Sequence, residues 1–295
     1  MSRFTAFTRL AAPRTELWRT VLGFALIAAG TLLLMFAAAM ALLAVWPNLD
    51  GLPGPDSLLG FASQRALAEI LTLAMFGLGI LVLAGVLRLL HRRGLPSLIG
   101  PDMAAAWRDF RRCFLPLLTA LAVLSLFSLT DSDLQPWLSP GLWLVWAPVA
   151  LIPILIQISA EELIFRGYLQ QQLGARFRSP WVWMLIPSAF FGMLHFNPEL
   201  GGFTWPVILI TGALGLVMAD LTARVGNLGP ALALHFANNI AAVLLVSTDP
   251  AASGIGALAL YHAPPPDDEQ TLLALIGYLL IVLILWLIAR LRLRV

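Results

Sequence analysis

An all-α, polytopic bundle of eight transmembrane helices is predicted for this chain by three observations. Charges are too few for a water-facing surface, eight apolar runs meet or approach spanning length, and the arginines fall into place only for an even number of crossings. Of the 295 residues, 60% are hydrophobic and 12% charged, about half the ~25% charged usage of ordinary globular chains. Lipid must therefore cover much of the surface, and the bilayer is the first expected partner. The single cysteine, Cys113, excludes an internal disulfide framework and any four-thiolate metal site. The net charge of +2 comes without a single lysine, and no basic cluster is interleaved with aromatics, so no nucleic-acid partner is expected.

A hydrocarbon core of ~30 Å needs roughly 20 apolar residues per helix. Eight runs meet or approach this: 21–46, 70–87 (extendable to 66 by including Glu69), 113–130, 134–160, 179–198, 200–219, 225–248 and 270–289. They are continuous and Leu/Ala-rich without period-2 alternation, which indicates helices. The first is too long for a signal-peptide core and is read as uncleaved. With both termini in the cytoplasm, 17 of the 18 arginines fall on the cytoplasmic side, Arg65 being the exception. The opposite loops hold Asp50, Asp56, Asp131, Asp133, Glu199, Asp249, Asp267, Asp268 and Glu269. An odd number of spans would spoil this positive-inside bias.

Three segments follow: 1–133, with three spans and a cytoplasmic interfacial stretch; 134–248, a central core; and 249–295, an outer loop with the last span. Pro- and Gly-rich residues at 47–65 and 249–269 mark irregular outer connections. The stretch 97–112, with Trp107 and several arginines, suits an interfacial helix that anchors the cytoplasmic face. No inverted repeat is visible, which weakens a secondary-transporter reading.

Ionisable residues within spans are costly and are candidates for function. The fourth span ends in Ser159-Ala-Glu161-Glu162-Leu-Ile-Phe165-Arg166-Gly167, the fifth in Phe190-Phe191-Gly-Met-Leu-His195-Phe-Asn197, and the seventh contains His235-Phe-Ala-Asn238-Asn239. Glu162 and Arg166 share a helix face at i,i+4 and read as a structural pair. Glu161 points about 100° away. Phe191 with His195, and His235 with Asn239, also share faces. In the hairpin of the fourth and fifth spans, residue 178 is midway between 161 and 195, so Glu161 and His195 can face each other. Because His195 falls late in its apolar run, either the hairpin projects into the cytoplasm or the fifth helix is short.

Other polar positions read as structural: Asp220 with Arg224 as an i,i+4 pair, Cys113 as inert, and His91 and His262 as loop residues. Phe190, Phe191, Phe196 and Phe203 read as packing.

A carboxylate and two imidazoles in a low-dielectric bundle can activate water for hydrolysis. They can equally hold a divalent metal such as zinc, with Glu161, His195 and His235 as candidate ligands. Neither a His-Glu-x-x-His helix nor a Gly-x-Ser-x-Gly elbow is present. His235 and the Asn239 amide could supply donors to an oxyanion.

Glu161-Glu162-x-x-x-Arg166, Phe191-x-x-x-His195 and His235-x-x-x-Asn239 resemble the three signature motifs of the CPBP (CAAX protease and bacteriocin-processing, or Abi) family, which includes the type II CAAX prenyl endopeptidases. The resemblance covers residues from about 140 to 248. It implies an intramembrane endopeptidase acting on a membrane-delivered peptide or protein, with Glu161, His195, His235 and Asn239 catalytic and Glu162, Arg166 and Phe191 supporting. It leaves open a metal-dependent or a metal-free, glutamate-activated mechanism. Two other readings are a non-proteolytic scaffold or immunity protein of the same fold, and an ion-coupled transporter. All-arginine usage hints at a GC-rich bacterial genome, hence an inner membrane, where prenylated substrates are not expected.

Overall fold

The computed structural model describes residues 2–45, 58–127, 134–136, 138–247, 256, 258–260 and 268–295. The outer connection expected at 47–65 is helical from Leu58 onward and otherwise lies outside these residues. So does most of the one at 249–269, with Asp50, Asp56, Asp131, Asp133, Asp249, His262 and Asp267.

The chain begins with a short helix, α1 (Arg3–Thr8), capped by Ser2, whose hydroxyl accepts from Thr5 N. Two long apolar helices follow: α2 (Leu17–Val45), and α3 (Leu58–Val86), which continues through a wide π turn to His91. After α4 (Pro96–Ile99) comes α5 (Met103–Phe127), started by the Asp102 carboxylate, which accepts from Ala104 N and Ala105 N. The residues expected to form an interfacial helix at 97–112 are instead α4 and the first turns of this span. Trp107 there stacks on Phe110.

Helix α6 (Pro140–Arg176) runs 37 residues. Ser139 caps it by accepting from Leu142 N, and Pro140 occupies its first position, where a missing N–H costs nothing. Next come α7 (Trp181–Met193), a 3-10 turn at Pro198–Phe203, α8 (Thr204–Val225), α9 (Gly229–Leu245) and α10 (Asp268–Leu293). Helix α8 ends on Gly226, whose φ of 74° is the left-handed stop that glycine favours.

Among the described residues, six helices are long and apolar enough to cross a membrane: α2, α3, α5, α6, α8 together with its preceding turn (Pro198–Val225), and α10. The other two expected crossings, α7 and α9, have fewer than 18 residues. The molecule is a multi-pass membrane protein with six such helices and two shorter apolar ones.

Of the two alternatives for the α6–α7 hairpin, the structure shows the short fifth helix. Helix α6 is about 55 Å long, far more than a hydrocarbon core, while α7 is about 20 Å. The excess of α6 is buried in protein. Gln170, Gln171 and Gln172 are all fully or nearly fully buried. Gln170 Nε2 donates to Ala219 O, and Gln171 Nε2 to Phe7 O and Ser97 O. Arg93 donates to Gln171 Oε1, and burial lowers its guanidinium to about 10. His91, expected in a loop, is buried at the end of α3 with Nε2 2.9 Å from the Tyr168 hydroxyl. That hydroxyl donates toward Arg19 O and Thr20 O, so α1, α2, α3 and α4 are all tied to one stretch of α6.

Helix α9 lies along α5, α3 along α6 and α2, α7 against α8, and α10 against α8 and α5. Helices α7 and α8 approach closely at Gly192, where a Cβ would sit 2.6 Å from Ile208 O. Glycine is what lets α7 seat directly on the α8 backbone. The fold is all-helical as expected apart from one small three-stranded sheet, too short to leave a pattern in sequence. Strand β3 (Leu258–Leu260) pairs antiparallel with β1 (Leu134–Pro136) and parallel with β2 (Val246–Ser247). It ties the start of α6 to the end of α9.

Candidate active site

Both glutamates lie at the end of the regular α-helical part of α6, just before its backbone widens into π turns at Leu163–Gln170. Measured along the axis, Glu161 lies about 32 Å from Pro140. The two carboxylates have different surroundings. Glu162 is fully buried, and its Oε1 accepts from Arg166 Nη1 at 2.9 Å and from His235 Nδ1 at 2.7 Å. Arg166 is itself 1% exposed. The pair expected from spacing is present, and it has a third member. One carboxylate oxygen of Glu162 serves both partners.

Glu161 keeps 13% of its side chain exposed, and its Oε2 lies 3.5 Å from His235 Nε2. Its Oε1 accepts from Gln157 Nε2 at 2.5 Å. Gln157 Oε1 in turn accepts from Asn239 Nδ2 at 2.7 Å, and Asn239 Oδ1 accepts from Asn238 Nδ2 at 3.3 Å. An unbroken polar chain therefore runs Asn238, Asn239, Gln157, Glu161, His235, Glu162, Arg166 across α9 and α6. These bonds offset part of the cost of burying polar groups in an apolar bundle, and within the chain Glu162 Oε2 and Arg166 Nη2 are buried without a hydrogen-bond partner.

His195 follows the end of α7. It is exposed, and its Nδ1 is 3.0 Å from Phe191 O. With a proton on Nδ1, both imidazoles have that nitrogen on an oxygen acceptor, which leaves Nε2 as the atom facing the site. No direct polar contact joins His195 to Glu161. The Phe191 ring links the two histidines instead, edge-on to His195 at 5.2 Å and to His235 at 5.7 Å. The same ring lies 4.4 Å beneath the Arg166 guanidinium. Phe191 is 1% exposed, whereas Phe190 and Phe196 are more than half exposed. Packing is thus the role of Phe191 within the predicted aromatic stripe, and the other two face outward.

The structure does not bring the candidate metal ligands Glu161, His195 and His235 together as a set of three. Among the described residues, no three His, Cys, Asp or Glu side chains come together closely enough to hold a metal ion. Glu161 and His235 face each other directly, while His195 is held by its own helix. Asp220 and Arg224 form the expected i,i+4 pair at 2.6 Å, and Trp286 Nε1 also donates to Asp220.

Gln157 went unread in the sequence. The signal was there: one amide inside the apolar run 134–160, four residues before Glu161, a spacing at which side chains meet on a helix.

Residues 140–241 match a family model described as type II CAAX prenyl endopeptidase Rce1-like. The match bears out the resemblance read from the three motifs, all of which it contains, and the family is one of membrane proteases. The uncharacterized protein YyaK of Bacillus subtilis (strain 168) is 34% identical over 160 residues, covering 52% of each chain. The chain thus spans about half the length of this curated relative. No solved structure matches.

Proposed function

We propose that this protein is an intramembrane endopeptidase that hydrolyses a peptide bond of a membrane-delivered peptide or protein, with Glu161 as general base. The observation that carries the reading is the division of labour between adjacent glutamates. Glu162 is sealed against Arg166 and His235, while Glu161 stays partly exposed with one oxygen toward His235 Nε2. A sealed carboxylate can only orient its neighbours; an accessible one can take a proton.

In this reading Glu161 Oε2 accepts a proton from water, and the oxygen bonds to the scissile carbonyl carbon. The carbonyl electron pair moves onto its oxygen. That oxyanion takes hydrogen bonds from the second Nδ2 hydrogen of Asn239 and from His235, when His235 carries a proton on Nε2. Collapse of the tetrahedral intermediate breaks the C–N bond, and Glu161 returns its proton to the departing amine. His195 Nε2 shares in positioning the water. In this reading the base, the oxyanion donors and the proton carrier are all side chains of α6, α9 and the end of α7.

With Pro140 at the outer boundary, Glu161 lies about one hydrocarbon thickness away, at the arginine-rich face. Positive-inside bias makes that face cytoplasmic, in a bacterial inner membrane with both termini inside. Reporter fusions after residues 95 and 170 on the same side as the N-terminus are the expected result.

The test of activity compares membranes from cells expressing wild type or Glu161→Gln, with new peptide termini read by mass spectrometry. Termini present only with wild type support the endopeptidase and name its substrate. Identical termini, with the biological effect retained in folded Glu161→Gln protein, overturn it in favour of a scaffold or immunity protein. Solute uptake into proteoliposomes without cleavage overturns it in favour of a transporter.

A further inference from the structure

We infer that Gln157 is a positioning residue of this site, holding the Glu161 carboxylate and the Asn239 amide in one fixed relation; its catalytic consequence rests on the reading of Glu161 and Asn239 above. Gln157 is 8% exposed, within the apolar first part of α6 that precedes Glu161. A buried carboxamide costs stability unless both of its ends are bonded. Both are, and both partners are site residues on two different helices: Glu161 on α6 at 2.5 Å and Asn239 on α9 at 2.7 Å. The amide therefore joins the two helices through the groups proposed to react.

The direction of each bond matters. By donating to Glu161 Oε1, Gln157 turns Oε2 toward His235 Nε2. By accepting from Asn239 Nδ2, it uses one of that amide's two hydrogens, and Asn238 Nδ2 occupies Asn239 Oδ1. What remains free on the pair is one carboxylate oxygen and one amide hydrogen, the base and the donor that the reaction needs. Only a side chain with donor and acceptor at this reach does both. Methionine fills the volume with neither, glutamate lacks the donor, and asparagine is one methylene short.

Full-length protein labelled with 15N-histidine in lipid nanodiscs provides a test that does not need turnover. The His235 ring signals, assigned with His235→Gln, should move in Gln157→Met and Gln157→Glu in the same sense as in Glu161→Gln, with His91 unmoved. In parallel, an acyl-anchored quenched-fluorescent peptide library in the same nanodiscs should show kcat reduced on the order of 10²-fold in both variants, as expected for a misplaced reacting group, with KM unchanged. Gln157→Met matches the volume and is expected to fold; Gln157→Glu keeps a polar side chain at the site. A His235 signal unmoved by both variants, or kcat held at wild-type level in folded protein, overturns the positioning role. If the library is not cleaved by wild type while the His235 signals move as expected, the placement of Glu161 by Gln157 stands and the endopeptidase reading falls.

Discussion

His235 Nδ1 and Glu162 Oε1 are 2.7 Å apart, with both side chains sealed from solvent. The bond joins α9 to α6 at the depth of the site, and it uses the same oxygen that neutralises Arg166. Glu162 is thereby an anchor of the fold, and the two adjacent glutamates should fail in different ways. Glu162→Ala should lower stability by about 3–5 kcal/mol, because it leaves a buried guanidinium without its counter-charge. Glu161→Ala should remove activity at a smaller cost in stability, about 1–3 kcal/mol, for the Gln157 amide it leaves without an acceptor. Thermal melting in detergent checks both. Equal melting temperatures for the two variants would contradict the division.

Gly192 gives a steric prediction independent of chemistry. Gly192→Ala places a Cβ 2.6 Å from the Ile208 carbonyl oxygen, so α7 must move off α8. Overpacking of this kind costs about 1–3 kcal/mol, and displacement of His195 should lower activity as well. Gly141→Ala, where nothing lies within 4 Å of the new methyl, is the control and should be neutral in both measurements.

Tyr168 ties the N-terminal helices to α6 through one hydroxyl. Tyr168→Phe leaves His91 Nε2 without its 2.9 Å partner, in a site too buried for easy repair, at a cost of about 1–3 kcal/mol. Limited trypsin digestion should then cut faster at Arg9 and Arg14 than in wild type. An unchanged digestion rate would show that the hydroxyl contributes nothing to docking.

Glu161, His195 and His235 do not converge as three metal ligands among the described residues. Activity should therefore survive chelation. The measurement is metal content of purified protein together with turnover before and after chelator, then after zinc is returned. Stoichiometric zinc that leaves and returns with activity would contradict the geometry.

Most of the chemistry was legible before the structure because charge in an apolar run is conspicuous. Glu161, Glu162, Arg166, His195, His235 and Asn239 announce themselves by being where lipid should forbid them. The shape of the helices was less legible. Apolarity locates the beginning of α6 but misplaces its end, since Gln170, Gln171 and Gln172 look water-exposed in sequence and are buried by hydrogen bonds to other elements. Hydropathy registers transfer to lipid, and tertiary burial of a satisfied amide is invisible to it. His91 reads as a loop residue for the same reason, its partner Tyr168 lying on another helix, whereas Gln157 carries a local signal in its spacing to Glu161. Helix α7 was drawn too long because Leu194 and Phe196 are apolar yet lie beyond its last turn.

Because α6 carries the glutamates partway along and grips α1, α2, α3 and α4 near its far end, it has the proportions of a lever. Its arms meet at the π turns of Leu163–Gln170, where the backbone is wider than an ordinary helix. A tug on the arginine-rich N-terminal segment, from lipid or from another protein, would be felt about 10–15 Å away at the carboxylates as a change of angle. On the proposed reading, cleavage would be mechanically coupled to the packing of the first twenty residues against α6.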